Sequence, residues 1–220
     1  MPLIPFPELP QKPIPHLSMD SLRSRLRTGD IVFIQSLPLP FRKISELTAS
    51  WTNHVGVLVE TNCNDPLVAE STFPRSRLTP ISQFLQRSRN GRVAVLSLKQ
   101  PLKPEEIAAL RSAAHRRLGV WYDTGFNLKS SRQFCSRFVR EILTESTGLE
   151  LGQIETFAEL HERHPAARLG FWRAWYFGRI PWNRQTVTPA SLLESPLLKT
   201  KFDGTVSKRD PDPAPPPPRP

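Results

Sequence analysis

Cysteine is nearly missing from this sequence: 220 residues contain two, Cys63 and Cys135. That count excludes a disulfide-stapled scaffold and a cysteine-rich zinc module. No run approaches the roughly 18 consecutive apolar residues that a membrane-crossing helix requires. Met1–Pro7 has neither the basic stretch nor the apolar run of a secretory signal, so the expected compartment is the cytoplasm, with both thiols reduced. No internal repeat is found, which removes solenoids and propellers. Acid is missing locally: residues 71–104 and 163–193 contain no Asp or Glu.

What is present describes a folded body between unusual ends. With 38% hydrophobic and 23% charged residues, the chain is neither fibrous nor disordered throughout. Of 24 prolines, 6 lie in residues 1–15 and 7 in residues 211–220. The chain is therefore expected to divide into a Pro-rich arm at 1–17, one globular domain at 18–205 and a disordered polyproline II tail at 206–220. The arm is expected to lie on the domain through Leu3, Ile4 and Phe6. The net charge is +10; the two acid-free stretches hold seven and five bases, +12 together, so the remainder is slightly acidic. Such a balance fits an anionic partner or a solvated basic surface.

Along the body, Ser21–Arg27 reads as a short helical turn and Asp30–Gln35 as a buried strand. A short helix is expected around Ser45–Ser50. His54–Glu60 and Pro66–Glu70 form a hairpin, because Asn62, Asn64 and Asp65 between them tolerate a left-handed backbone. If Glu60 faces Asn64, then His54 faces Glu70 on one side of the pair; a slip of two residues keeps the face but changes the partner. Thr79–Arg87 reads as a helix and Arg92–Leu98 as a strand. Pro104–Arg117, with acids first and bases last, follows the helix dipole. The next helix is expected to start at Ser130 or Ser131. Its pairs Phe134/Cys135, Phe138/Val139 and Ile142/Leu143 recur every four residues and mark a buried stripe. Thr186–Thr188 suits an edge strand and Pro189–Leu198 a closing helix.

Three residues carry chemistry. A cysteine near a helix N-terminus has its thiolate, the nucleophilic form, favoured by the dipole. A strand-end histidine beside a carboxylate is held in one tautomer and can serve as base. Cys135, His54 and Glu70 thus form a candidate nucleophile, base and orienter, with the Cys135 amide as one oxyanion donor. Each also has a plainer reading: Cys135 as a core residue on an apolar stripe, His54 as a satisfied polar group, Glu70 as an ion-pair partner of a nearby arginine.

The order Gly29-Asp-Ile-Val-Phe33, Thr52-Asn-His-Val-Gly-Val57, Val68-Ala-Glu-Ser71, Tyr122-Asp123 and Phe134-Cys-Ser-Arg-Phe-Val139 resembles the circularly permuted papain-like hydrolases. These are the YiiX/YebB-like branch of the NlpC-type cysteine hydrolases, related to the lecithin:retinol acyltransferase family. The resemblance spans about residues 25–145, and Thr188-Pro-Ala-Ser-Leu-Leu193 resembles the family's closing segment. It implies an α+β fold with a central antiparallel sheet packed against helices. It also implies Cys135 as nucleophile, His54 as general base and Glu70 as the polar residue that orients His54, with Asp123 in a capping or hydrogen-bonding role. Family members often carry an acid where this chain has Arg137; a cation there would favour the thiolate or select anionic substrates if it faced the site.

The leading expectation is a thiol hydrolase of the amidase or peptidase kind, acting on an amide or ester without a cofactor. Its alternatives are a lipid acyltransferase or phospholipase-like enzyme, a non-catalytic binder of anionic lipid or another anionic partner, and a pseudoenzyme. The aromatic and arginine run 171–184 resembles a peripheral membrane anchor, but core aromatics with exposed arginines are the preferred reading. No nucleic-acid-binding pattern is found, so no nucleic acid partner is expected. His161, Glu162 and His164 lack a further ligand and are cut off by Pro165, so no metal is expected there.

Overall fold

The computed structural model describes residues 14–207. Leu3, Ile4 and Phe6, and residues 208–220 of the tail expected at 206–220, lie outside the described residues, while Val206 of that expected tail belongs to a strand. The elements run β1 (His16–Leu17), α1 (Met19–Arg23), β2 (Ile31–Ser36), α2 (Leu39–Thr48), β3 (His54–Glu60), β4 (Leu67–Glu70), β5 (Arg77–Pro80), α3 (Ile81–Gln86) and β6 (Ser88–Leu98). They continue with α4 (Pro104–Arg116), α5 (Cys135–Thr147), β7 (Ile154–Thr156), α6 (Phe157–Arg163), α7 (Gly170–Trp175), β8 (Gln185–Val187), α8 (Pro189–Leu193) and β9 (Leu198–Val206).

Seven strands form one sheet in the order β1-β9-β6-β2-β3-β4-β5, antiparallel except where β1 joins β9. The uninterrupted apolar run of β2 has a simple cause: both faces of the sheet are covered. Ile31 and Phe33 point into a core shared with Leu110 and Ala113 of α4 and Phe138, Val139 and Ile142 of α5. Val32 and Ile34, one residue out of phase, point into a second core with Leu22 of α1 and Ile81 and Phe84 of α3. That is period-2 alternation with helices on each side. A third, aromatic core joins Ile44 and Leu47 of α2 to Phe157 and Leu160 of α6 and Trp172 of α7. The small β7–β8 ladder ties this layer to α8.

The structure differs from the sequence reading at several places. α2 spans Leu39–Thr48, beginning earlier and longer than the expected turn at Ser45–Ser50. Arg77–Pro80 is a strand, and the helix after it starts only at Ile81. α5 begins at Cys135 with Phe134 as its N-cap, not at Ser130 or Ser131, because the hydroxyl of Ser130 is spent within a turn, accepting from the Arg132 amide at 3.0 Å. The closing helix stops at Leu193, and Leu198–Val206 forms a nine-residue strand. Two residues of the expected arm, His16 and Leu17, belong to the sheet.

Candidate active site

The site lies where β3 begins, β4 ends and α5 starts. Its entry is pinned before His54 is reached: the Asn53 side chain accepts from the Ser36 amide at 2.7 Å and donates to the Ser36 carbonyl at 3.1 Å, while the Thr52 hydroxyl donates to the Ile34 carbonyl at 3.1 Å. His54 then pairs with Ile34 on the neighbouring strand. Its ring sits between Phe41 of α2, edge-on at 5.6 Å, and Phe84 of α3 at 5.5 Å. These two apolar rings leave the imidazole nitrogens few directions for polar contacts.

One edge meets Glu70: Nε2 to Oε2 is 2.6 Å, with both side chains buried. The hairpin register pairs Val57 with Ala69 and Leu58 with Val68, two residues from the pairing inferred by placing Glu60 opposite Asn64. An even slip leaves both side chains on one face, so contact is kept diagonally. Glu70 is gripped from its other side as well. Thr79 donates to Oε1 at 2.6 Å, the Arg87 guanidinium lies at 2.7 and 2.8 Å from the two oxygens, and Arg77 Nε is 3.6 Å away. Burial alone would raise the pKa of this carboxyl. The bond from His54 and the charges of His54 and Arg87 outweigh burial, and the pKa falls to about 2.

The other edge of the ring faces Cys135. Nδ1 has no partner within full hydrogen-bonding geometry among the described residues. The sulfur of Cys135 is nonetheless close enough to act on it. Burial pushes the imidazole pKa down, but Cys135 and then Glu70 raise it to about 9. Cys135 is the first residue of α5, and no side chain caps the amides of that helix end.

Tyr122 completes the cluster. Its hydroxyl is buried without a hydrogen-bond partner, and burial followed by the neighbouring Cys135 holds the phenol well above its usual pKa. It therefore stays protonated, a buried donor in the neighbourhood of the cysteine. The sequence reading singled out Tyr122 only as half of a Tyr-Asp pair. Asp123 accepts from the amides of Gly125 and Asn127 at 2.9 and 2.8 Å, shaping the turn that follows. Thr79, Phe41 and Phe84 were not anticipated, and Arg87 only as an unspecified arginine beside Glu70; they reach the site from elements distant in the chain and carry no local signature.

Arg137 does not face the site. It pairs with Glu141 at 2.6 Å and donates to the carbonyls of Ser130 and Arg132 at 2.7 and 2.9 Å, bracing the loop before α5. The first acid-free stretch is largely consumed within the fold. Arg77 and Arg87 serve Glu70, Arg92 pairs with Asp203, and Arg75 stacks on Trp121 at 4.0 Å.

The cluster is enclosed: Cys135 and His54 are each 2% exposed, with Phe41 also edge-on to Tyr122 at 6.3 Å. Beside Cys135 is an apolar cavity of about 40 Å³ lined by Leu47, Phe126, Phe134, Phe157, Trp172 and Val187, among others. Cys63 sits apart in the hairpin turn, exposed, its thiol 3.3 Å from the Asp65 carbonyl.

A histidine strand that precedes a cysteine helix, on an α+β sheet covered by helices, defines the circularly permuted papain-like fold. The chain belongs to the family described as permuted papain-like amidase enzymes, YaeF/YiiX, C92 family, which matches residues 25–201. Among solved structures it is similar to the metalloprotein YiiX from Escherichia coli O157:H7. The two are 27% identical, with a TM-score of 0.76, and the match covers 82% of this chain and 99% of that one. A comparison with curated proteins returned no match. The metal in that description belongs to the Escherichia coli protein. Among the described residues here, no group of three or more His, Cys, Asp or Glu side chains is placed to hold a metal ion. Nor is any helix among them long and apolar enough to cross a membrane.

Proposed function

We propose that the protein is a cysteine amidase that works through an acyl-enzyme on Cys135. The observation that carries this reading is the buried His54–Glu70 pair, anchored on Arg87 and Thr79 and acting from its other edge on the Cys135 sulfur. In the reactive form the thiol proton is already held on Nδ1 of His54, and the sulfur attacks the substrate carbonyl carbon. As the C–S bond forms, the carbonyl π pair moves to oxygen, where the Cys135 amide and the Tyr122 hydroxyl donate to it. Collapse of this intermediate breaks the C–N bond, and the departing amine takes the proton from His54. Water then attacks the acyl carbon and gives one proton to His54; the sulfur leaves with the C–S pair as the acid is released, and the proton stays on His54 as at the start. Glu70 remains ionised throughout, holding the ring and stabilising its cationic form.

The cavity beside Cys135 favours an apolar group on the acyl side. Its apolar lining, though not its volume, favours a second reading, hydrolysis or transfer of a lipid ester at the same cysteine. Both readings are tested by mixing the protein with p-nitrophenyl acetate, quenching in acid and locating the acetyl group by mass spectrometry. Acetylation is expected on Cys135 and not on Cys63, with turnover abolished in Cys135→Ala. Turnover that survives in Cys135→Ala overturns both readings. Peptide p-nitroanilides separate the two: cleavage that depends on Cys135 supports the amidase, and inertness towards amides with rapid hydrolysis of long-chain esters supports the second.

A further inference from the structure

The aromatic core built by α2, α6 and α7 leaves one ring out. Trp172 is buried, and Phe171, Trp175 and Tyr176 pack partly against it. Phe177, the residue after the α7 cap, is 93% exposed. It also holds a left-handed backbone, φ 50°, followed by Gly178 at φ 83°, a conformation that costs a bulky residue stability. The turn is tightly made. The Gly178 amide donates to the Arg173 carbonyl at 2.7 Å, and the Arg179 amide to the Tyr176 carbonyl at 3.0 Å. Phe177 therefore stands at the tip of an ordered turn with Arg173 and Arg179 on either side. The fold recovers nothing from exposing it.

The charge around this tip has one sign. Residues 163–193 contain no acid. Of the five arginines there, Arg163 pairs with Glu155 and Arg184 donates to the Gly125 carbonyl. Arg168, Arg173 and Arg179 are exposed and have no ion-pair partner among the described residues. Trp182, 40% exposed, lies nearby in the chain, edge-on to Phe157 at 5.8 Å. An aromatic wedge ringed by unpaired guanidinium groups has the chemistry of an interfacial anchor: the ring enters the headgroup–acyl boundary while the cations meet anionic headgroups. A nucleic acid would satisfy the arginines too, but a base stacked on Phe177 covers one face of the ring, whereas an acyl layer surrounds the whole of it.

We propose that the α7 turn, through Phe177, Arg168, Arg173 and Arg179, docks the protein on the surface of an anionic lipid bilayer. The turn is tied to the site, since Trp175 Nε1 and the Tyr176 hydroxyl donate to the carbonyls of Thr124 and Gly125 at 3.0 and 3.2 Å, close after Tyr122. Docking here would bring the Cys135 cluster near the membrane, but the inference does not rest on catalysis.

Co-sedimentation of the full chain with vesicles of phosphatidylcholine alone, and with 30 mol% phosphatidylglycerol, tests it without a turnover readout. Binding to the anionic vesicles is expected, falling about fivefold or more in Phe177→Ser and at least tenfold in Arg173→Glu/Arg179→Glu. It should also fall on raising salt to 0.5 M. Phe73→Ser removes another exposed ring, 69% accessible, and should bind as the parent does. The exposed positions let the variants fold, which thermal unfolding verifies. The proposal is overturned by equal binding to neutral vesicles, by anionic binding that survives both α7-turn variants, or by an equal loss in Phe73→Ser. Binding to a DNA duplex that is independent of Phe177, without vesicle binding, assigns the arginines to nucleic acid and overturns it too.

Discussion

At the scale of single residues, the site turns on two groups whose ordinary titration is displaced in opposite directions, His54 up and Glu70 down. In the proposed cycle the leaving amine draws its proton from the His54 imidazolium, so kcat/KM should fall on the alkaline side with an apparent pKa near 9. Glu70→Gln removes the charge that holds that proton. It should cut kcat by about tenfold to a thousandfold and move the alkaline limb downwards, a shift that loss of packing alone would not produce. Tyr122→Phe separates stability from activity. Deleting a buried hydroxyl without a partner should leave the fold as stable or more stable by about 1 kcal/mol, while kcat drops roughly a hundredfold for want of an oxyanion donor. Urea titration and steady-state turnover on one preparation check both halves. The grouping of Cys135, His54 and Glu70 as a candidate site was legible in the sequence because each sits in a short patterned segment. The donors around Glu70 were not, since nothing local to Thr79 or Arg87 marks them as neighbours of residue 70.

At the scale of elements, the hairpin shows why a near miss in register did little harm. A displacement of two residues along β3 and β4 preserves the side of the sheet, and long polar side chains span the diagonal. Gly56 has the tighter role. A Cβ there would lie 2.4 Å from Val68 Cγ1, 3.1 Å from the Ala69 carbonyl oxygen and 3.2 Å from the Phe84 ring. The carbonyl is backbone and cannot swing aside, so Gly56→Ala must spread the hairpin or push Phe84 off His54. Destabilisation of about 1–3 kcal/mol in urea, with a fall in kcat, is the expected result. β9 escaped the sequence reading for a visible reason. Its inward positions include Leu198, Phe202 and Val206, but Gly204 and the exposed Thr200 interrupt the alternation, and Lys199, Lys201 and Asp203 dilute it. The start of α5 was misjudged because Ser130 is as suited to a turn as to a cap.

At the scale of the whole molecule, the same two titrations set a stability profile. Glu70, lowered from 4.5 to about 2, contributes stability that is present above pH 4.5 and lost as the pH falls towards 2. His54, raised from 6.5 to about 9, contributes stability that is full below pH 6.5 and lost as the pH climbs through 9. Unfolding free energy should therefore crest between about pH 4.5 and 6.5, with an acid-side decline on the order of 3 kcal/mol that Glu70→Gln flattens. The sequence reading placed the net charge outside the site. In the fold, Arg77 and Arg87 carry part of it directly onto Glu70. The sheet edge has a consequence of another kind. β1 and β9 lie side by side, His16 against Thr205 and Leu17 against Val206, so a short bridge from Ser207 to Ile14 would turn the described body into a ring. Cut that ring at the exposed Ser131 and a strand begins with the cysteine and reaches the histidine later, the order of papain itself. Chain order is thus a matter of where a loop is opened, and the site belongs to the ring.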